Sequence, residues 1–353
     1  MTAILATHSG LEHFKIKQIP HGGMQIQRGF MPFFILRITP ALGLPGFFTL
    51  VAMALLFAVP APSSGASEKS RFLEESRIAV MSAFAPELAG LLEDLEDAES
   101  ARVNGIEFTT GNLYGKRTVL FQSGISMVNA AMATQTALDH FNIERIIFSG
   151  IAGGVDPNLN IGDVIIADQW GQYLEALFAR DTGNGYLTLP FFEYGFENFG
   201  MMHPRSLTVL RAGSNEIETR FWFPVDEKGL EAARAVAPSI DLKNCASADV
   251  CLRHRPKVEV GGSGVSGGAF VDNKAFREYA YRTFRARVLD MESAAVAHVA
   301  YVNEVPFLAV RSLSDLAGGE PGDSQYETFV QLAADNAKIV LEQLLLALPD
   351  TKR

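Results

Sequence analysis

The stretch from residue 288 to residue 319, VLDMESAAVAHVAYVNEVPFLAVRSLSDLAGG, contains the pattern that decides the fold. The apolar segments Val288–Asp290 and Phe307–Ser312 predict two buried strands. The alanine-rich segment between them, Ser293–Val302, predicts a helix. A strand, a helix and a second strand in this order predict an α/β fold in which the two strands are adjacent.

Each of these two strands is followed by a carboxylate. Glu292 comes just after the first strand, where the predicted helix begins, and Asp315 ends the second apolar segment. Ligands in open α/β sheets bind outside the carboxyl ends of the strands. We therefore expect Glu292 and Asp315 to face one active site.

The alternation of strands and helices extends over residues 76–348. Further strands are predicted at Arg77–Ala83, Ile106–Leu113, Arg117–Gln122, Arg145–Ser149 and Gly162–Asp168. Further helices are predicted from Pro86 and at Met127–His140, Asn273–Phe284 and Gln325–Leu348. The pattern predicts a single α/β domain with a mixed, mostly parallel central sheet flanked by helices.

The segment from about residue 170 to residue 255 interrupts this alternation. Aromatic residues are dense in Phe191–His203 and Arg220–Pro224 without a clear period. We interpret the segment as an aromatic-rich loop lobe inserted into a domain of residues 69–353. It is either a structural elaboration of the domain or a lid or oligomer contact.

The first 68 residues form a predicted leader. Phe47–Val59 is a continuous apolar run, and the breaker-rich segment Pro60–Ser67 follows it. The run is shorter than the roughly 20 residues that span a bilayer, and it fits the apolar core of a signal peptide with a cleavage zone near Ala66. We expect an exported protein, periplasmic or secreted. The alternatives are an uncleaved membrane anchor and a buried helix.

The composition excludes several classes of function. The chain has 353 residues and a net charge of −10, which argues against a general nucleic-acid-binding protein. The segment Gly262–Gly267 matches the glycine spacing of a dinucleotide site, but no helix begins at the required place after it. No pair of histidines after the leader has the spacing of metal ligands. We therefore expect neither a cofactor nor a metal.

The chain contains two cysteines, Cys245 and Cys251. Disulfides persist in oxidising compartments, so an export signal makes a short-loop disulfide between these residues plausible.

Three further features fall near the predicted carboxyl edge of the sheet. The glycine-containing segments Ser123–Val128 and Ser149–Gly154 each follow a strand, where backbone can approach a ligand or simply turn. Glu87 follows the first strand and is either a third site carboxylate or an ordinary first-turn glutamate stabilised by the helix dipole.

As a set, short stretches across residues 76–348 resemble the nucleoside phosphorylase and nucleosidase superfamily, and within it the methylthioadenosine/S-adenosylhomocysteine nucleosidases. They follow one another in the family's order. The matching stretches are Ala79–Glu87, Gln122–Ile125, Ser149–Gly154, Asn160–Val164, Ala269–Val271, Asp290–Ser293 and Arg311–Asp315. The inserted lobe and the two cysteines also resemble the plant bark and vegetative storage proteins, a secreted subgroup that need not be catalytically active.

The resemblance implies a catalytic pair. Asp315 would be the general acid that protonates N7 of the leaving purine, and Ser314 would help to orient it. Glu87 would be the base that activates the attacking water. The chemistry agrees, because loss of a purine from ribose passes through an oxocarbenium-like state that needs a proton on the leaving group and negative charge near the sugar.

The resemblance also implies a set of substrate contacts. Glu292 and Met291 would contact the ribosyl hydroxyls, and Arg311 would line the ribosyl side. Phe270 would stack on the base, and the backbone of Val271 would read the edge of the base. The pocket would be shaped by Ile125, Ala152 and Gly153.

The implied function is hydrolysis of the N-glycosidic bond of purine nucleosides, with 5′-methylthioadenosine or S-adenosylhomocysteine as the expected substrate and adenine as product. Bacterial-type phosphorylases of the superfamily carry an arginine in the loop after the first strand, whereas Ser82–Glu87 has none. Phe84 and Ile125 fall where nucleosidases line the 5′ pocket with apolar groups, which favours a thioether substituent. Ile151 departs from the small polar residue that nucleosidases often have.

Two alternatives to a purine nucleosidase stay open from the sequence. One is a purine nucleoside phosphorylase, and the other is a non-catalytic nucleoside-binding or storage-like protein. The resemblance further implies a homo-oligomer, a dimer or larger, in which a partner completes the 5′ pocket.

Overall fold

The computed structural model describes residues 73–349. The predicted leader at residues 1–68 lies outside the described residues. No helix within residues 73–349 combines the length and the hydropathy that a membrane span requires.

The described chain alternates strands and helices for most of its length. The strands are β1 (Arg77–Ser82), β2 (Glu96–Val103), β3 (Ile106–Leu113), β4 (Lys116–Gln122), β5 (Ile143–Gly154), β6 (Val164–Ile166), β7 (Gln169–Gln172), β8 (Ala176–Phe178), β9 (Arg180–Asp181), β10 (Tyr186–Leu187), β11 (Met202–Pro204), β12 (Leu207–Leu210), β13 (Ile217–Arg220), β14 (Trp222–Pro224), β15 (Cys245–Ser247), β16 (Val250–Cys251), β17 (Val258–Val260), β18 (Ser263–Ser266), β19 (Ala286–Asp290) and β20 (Phe307–Asp315). The helices are α1 (Ala85–Glu93), α2 (Met127–His140), α3 (Glu227–Val236), α4 (Lys274–Phe284), α5 (Ser293–Val302) and α6 (Tyr326–Ala347).

Twelve of these strands form one mixed sheet, as predicted. Nine follow the order β14-β7-β18-β19-β5-β1-β4-β3-β2, while β20 pairs with β5 and β6, and β6 pairs with β17. The pairings β1–β4, β1–β5, β5–β20, β6–β17, β7–β18 and β18–β19 are parallel. The pairings β2–β3, β3–β4, β5–β19, β6–β20 and β7–β14 are antiparallel.

The prediction that β19 and β20 are adjacent is wrong. Both strands pair with β5 instead, β20 along most of its length and β19 only through Val288 and Leu289. The reason is the length of β5, which runs for 12 residues and continues to Gly154. Residues 143–148 of β5 pair with β1, residues 146–153 pair with β20, and Gly153 and Gly154 pair with β19. One strand therefore brings the ends of the other three together.

Strands β5 and β20 are both longer than predicted at their carboxyl ends. Glycines and polar residues suggested a turn there, but Arg311 pairs with Gly150 and Asp315 with Gly153. A side chain cannot fit at residue 150, since a Cβ would lie 2.2 Å from Nη1 of Arg311 and 2.4 Å from Oε1 of Glu87. The glycine therefore makes room for the charged groups beside it.

Strand β2 was not predicted from the sequence. Its residues, EDAESARV, are mostly exposed, and it forms one edge of the central sheet. Charged residues suit an edge strand because they oppose pairing with another chain, but they hide the apolar alternation by which strands are recognised.

The segment between residues 170 and 255 is only partly a separate lobe. Strands β7 and β14 belong to the central sheet, where Trp170 and Phe223 are paired and fully buried. The remainder forms the two-stranded ladders β8–β11, β9–β10, β12–β13 and β15–β16, together with α3. In the last ladder Cys245 and Cys251 are bonded, with their sulfur atoms 2.05 Å apart.

Candidate active site

A pocket, open at its mouth, lies where β1, β5, β19 and β20 end. Eleven of the residues proposed from the sequence line it. They are Phe84, Glu87, Ile125, Ala152, Gly153, Phe270, Val271, Met291, Glu292, Ser314 and Asp315. Residues separated by more than two hundred positions therefore meet in one cavity.

Asp315 is the last residue of β20 and is 4% exposed. The Ser314 hydroxyl donates to Oδ2 at 2.8 Å, and the Ala317 N–H donates to Oδ1 at 2.8 Å. Burial raises the pKa of Asp315 from 3.8 to about 6, although these two donors act in the opposite direction. The carboxyl group can therefore hold or release a proton close to neutral pH.

Glu87 lies in the first turn of α1, which begins directly after β1 with Pro86 near its start. Its Oε2 accepts the Ala83 N–H at 2.6 Å, and its Oε1 accepts the Ile151 N–H at 2.8 Å. These contacts tie the start of α1 to β5. Burial raises the pKa of Glu87 because it outweighs the charge of Arg311 and the backbone donors.

Glu292 occupies the residue before α5 and is 5% exposed. Its Oε1 accepts the backbone N–H of Ser126 at 2.7 Å, from the loop that leads into α2. Burial, followed by the negative charge of Asp290, raises the pKa of Glu292 to about 7, while Arg311 opposes the rise.

Arg311 does not line the pocket as proposed. Its fully buried guanidinium lies behind the carboxylates, with Nε 2.8 Å from Oδ2 of Asp290. Nη1 is 3.9 Å from Oε1 of Glu87, and Nη2 is 3.8 Å from Oε2 of Glu292. The ring of Phe148 packs 3.9 Å from the guanidinium carbon. Its place in the middle of a fully buried strand keeps it from the open side of the pocket.

Phe270 and Val271 lie on the loop between β18 and α4. Phe270 is 56% exposed, so its ring is available to a flat ligand at the mouth of the pocket. The ring of Tyr326, the first residue of α6, meets it edge-on at 5.4 Å between centroids.

Several further residues line the pocket without a role that was predicted from the sequence. These are Ala83, Ala269, Leu289, Asp290 and Tyr326. A role for Asp290 could have been predicted, because it belongs to the matching stretch Asp290–Ser293. Nothing in the sequence indicated that Tyr326 lines the pocket, because a tyrosine at the start of an amphipathic helix resembles any other surface aromatic residue.

Within residues 73–349 no group of three His, Cys, Asp or Glu side chains is arranged to hold a metal ion. The carboxylates of the pocket face backbone N–H groups, hydroxyls and one arginine. Such an arrangement can exchange protons and stabilise positive charge on a bound ligand.

The sequence model of the phosphorylase superfamily matches residues 77–346, and the chain belongs to that superfamily. Among curated proteins, it is 30% identical over 270 residues to a 5′-methylthioadenosine/S-adenosylhomocysteine nucleosidase of Psychromonas ingrahamii, covering 76% of this chain and 98% of the relative. It is 31% identical over 271 residues to the nucleosidase of a Marinomonas species, covering 76% of this chain and 98% of that relative.

Solved structures of the same kind share the fold. The S-adenosylhomocysteine nucleosidase of Streptococcus pyogenes, in complex with 5-methylthiotubericidin, gives a TM-score of 0.58 at 25% identity and covers 77% of this chain and 97% of its own. The Neisseria meningitidis 5′-methylthioadenosine/S-adenosylhomocysteine nucleosidase, in complex with methylthio-immucillin-A, gives 0.57 at 24% identity and covers 77% and 99%.

Proposed function

We propose that this protein hydrolyses the N-glycosidic bond of purine nucleosides, with 5′-methylthioadenosine or S-adenosylhomocysteine as substrate and adenine as a product. The observation that carries the proposal is the meeting of Glu87, Glu292 and Asp315 in one pocket beside the exposed ring of Phe270. Relatives of about 30% identity that span this domain are named for the same reaction.

Asp315 supplies the proton to the leaving base in this mechanism. A purine departs readily only when a ring nitrogen is protonated, and general acid catalysis is worth roughly 10²–10⁴-fold in rate. The raised pKa of Asp315, about 6, keeps part of the enzyme protonated near neutral pH. The Ser314 hydroxyl fixes the direction of the carboxyl group.

The sugar side of the pocket carries the negative charge. Glu292 accepts hydrogen bonds from the ribosyl hydroxyls, and Glu87 removes a proton from the attacking water. Both carboxylates stabilise the positive charge that develops on the ribosyl ring as the base departs. The N–H donors of Ser126 and Ile151 hold the two glutamates in place while this happens.

Water is a better nucleophile than phosphate for this pocket. None of the lining residues, all within residues 73–349, is a lysine, an arginine or a histidine. Arg311, which lies behind the pocket, is already paired with Asp290. A phosphate ion would enter a cavity of carboxylates without a free cation to bind it, which disfavours the phosphorylase alternative.

The apolar side chains of Phe84 and Ile125 also line the pocket. They are suited to a thioether at the 5′ position of the ribose, because burying a 5′-hydroxyl against them would leave it without a hydrogen-bond partner.

We also propose a homodimer or larger assembly. Ile125, Val128 and Met132 are 50%, 78% and 54% exposed; Ile125 lies in the loop just before α2, and Val128 and Met132 lie four residues apart on α2 itself. This apolar stripe continues from the pocket wall, because Ile125 belongs to both. A second copy seated on it would cover the stripe and close the 5′ end. Light scattering of the purified protein tests the assembly, and a monomeric mass at micromolar concentration would refute it.

We further propose that the protein is exported. The described disulfide between exposed Cys245 and Cys251 is the kind of bond that persists outside the cytoplasm. Titration of the purified native protein should find no free thiol, and two titratable thiols would contradict both the bond and this argument.

The proposed function is tested by incubating the protein with methylthioadenosine, S-adenosylhomocysteine, adenosine and inosine, with and without phosphate. Release of adenine from methylthioadenosine or S-adenosylhomocysteine without phosphate is the expected result. Release only in the presence of phosphate would establish the phosphorylase, and tight binding without turnover would establish a non-catalytic nucleoside-binding protein.

A further inference from the structure

We infer that Asp290 is a positioning residue: it takes over the capping of helix α5 and holds Arg311, so that the side chain of Glu292 is not used for the helix cap and lines the pocket instead. The role of Asp290 in turnover rests on the proposed function, whereas its effect on Glu292 can be measured without any substrate.

The N-terminus of helix α5 is capped by residues other than the one that directly precedes it. The residue before a helix commonly accepts the free N–H groups of the first turn with its own side chain. Glu292 occupies that position but makes no such bond. Oδ1 of Asp290 instead accepts the N–H of Glu292 at 3.2 Å and of Ser293 at 3.1 Å, and the Ser266 hydroxyl accepts the Ala294 N–H at 2.8 Å.

Two hydroxyl groups and one guanidinium also surround the carboxylate of Asp290. The hydroxyls of Ser266 and Ser293 both donate to its carboxylate, and Nε of Arg311 lies 2.8 Å from Oδ2. Every one of these neighbours is a donor, which suits an ionised carboxylate. Asp290 is 5% exposed, so its charge is little screened by solvent.

Arg311 is held by Asp290 and by the ring of Phe148. Because Asp290 fixes Nε and Phe148 covers one face, the remaining nitrogens point to Glu87 and Glu292, at 3.9 and 3.8 Å. Nη1 and Nη2 have no hydrogen-bond partner among the described residues. The guanidinium of Arg311 therefore faces three carboxylates, and its shortest contact is with that of Asp290.

The charges around Asp290 and Arg311 affect the pKa of Glu292. The charged groups that act on it come from three other elements: Asp290 from β19, Arg311 from β20 and Glu87 from α1. Burial raises the pKa of Glu292, and the charge of Asp290 raises it further, while Arg311 lowers it. Asp290 thus fixes the geometry of Glu292 through the backbone and its charge through space.

The experiment measures the pKa of Glu292 directly in the ligand-free protein. Glutamate labelled with ¹³C at the side-chain carboxyl gives a signal for each residue, and the signal absent from E292Q is that of Glu292. We expect it to titrate near pH 7 in the parent protein. In D290N the midpoint should fall by about one pH unit or more, a change equivalent to roughly tenfold in proton affinity. An unchanged midpoint would overturn the inference.

The matched control is D163N. Asp163 is also fully buried and accepts two backbone N–H groups, from Asn160 at 2.9 Å and Lys257 at 3.0 Å, but it does not line the pocket. Its replacement should leave the Glu292 midpoint where it is. An equal shift in D163N and D290N would mean that any buried-carboxylate substitution disturbs the pocket, which also overturns the inference.

A second variant covers the case in which D290N does not fold. Ser266→Ala removes one donor from Asp290 but keeps its charge, so the charge is less compensated and the midpoint of Glu292 should rise. A midpoint that stays the same or falls in S266A would contradict the inference.

Turnover provides the link to the reaction. With methylthioadenosine, kcat of D290N should fall at least roughly tenfold, because Glu292 and Arg311 lose their common anchor, while D163N stays within about twofold. A shifted midpoint with unchanged kcat would refute the positioning role in the reaction. If the parent protein turns over no purine nucleoside, the proposed function fails, but the Glu292 midpoint in D290N is still decisive for the electrostatic claim.

Discussion

Burial raises the pKa of a carboxyl group in each half of the pocket, but the two groups differ in the charges that lie beside them. Asp315 is buried with two neutral donors and forms no ion pair within residues 73–349, so the rise of its pKa to about 6 comes chiefly from burial. Glu292 has Arg311 beside it, yet burial, followed by the negative charge of Asp290 and more weakly that of Glu87, raises its pKa to about 7. One arginine shared by three carboxylates does not keep all of them ionised.

The largest expected effect is on the purine half of the pocket. D315N keeps the shape of the side chain but removes the proton donor, so turnover of methylthioadenosine should fall by roughly 10²–10⁴-fold. The measurement is kcat with saturating substrate, accompanied by circular dichroism to show that the fold is intact. Turnover within a few-fold of the parent protein would remove Asp315 from its role.

The pH dependence of turnover is the next test. Asp315 acts in its protonated form, so activity should decline as the pH rises through about 6. Glu87 and Glu292 act in their ionised forms with raised pKa values, so activity should also decline at acidic pH. We expect a bell-shaped profile of kcat/KM between pH 4.5 and 9. A rate that still increases above pH 8 would contradict the assignment of Asp315 as the acid.

A smaller effect is expected on stability. The folded-state pKa of Asp315 is raised above its ordinary 3.8, so its contribution to stability is present below about pH 4 and is lost as the pH rises through about 6. D315N does not undergo this loss. Its free energy of unfolding should exceed that of the parent protein by roughly 1–3 kcal/mol at pH 8, with little difference at pH 4.

Chemical denaturation of both proteins at pH 4 and pH 8 provides the comparison. The parent protein serves as its own control, because its free energies of unfolding at the two pH values are compared with each other while it is folded in the absence of denaturant. A D315N variant that is less stable than the parent at pH 8 would show that the hydrogen bonds of the Asp315 carboxylate outweigh the cost of burying its charge.

Much of this architecture could be predicted from the sequence, for identifiable reasons. Strands such as β1 and β20 are buried on both faces and therefore contain the apolar runs Ile78–Met81 and Phe307–Val310, and α2 and α5 match their predicted bounds. The candidate site could be assembled because each short motif lies at the end of a strand and the motifs occur in the order of a known family.

The predictions from the sequence fail where a residue is required by a neighbour that is close in space but distant in the sequence. Gly150 looks like a turn residue, but it is a strand residue that makes room for Arg311. Arg311 looks like a pocket residue, but it is bound to Asp290 behind the pocket. Trp170 looks like part of a loop lobe, but it pairs with Phe223 in the central sheet. Local sequence patterns contain no information on such partners.

The most direct test of the central claim separates the proton donor from the rest of the pocket. The parent protein and D315N are compared on methylthioadenosine and on the corresponding 4-nitrophenyl riboside, whose leaving group departs without a proton. The account predicts that D315N loses roughly 10²–10⁴-fold on methylthioadenosine but stays within about tenfold of the parent on the nitrophenyl substrate. An equal loss on both substrates would contradict the assignment of Asp315 as the general acid.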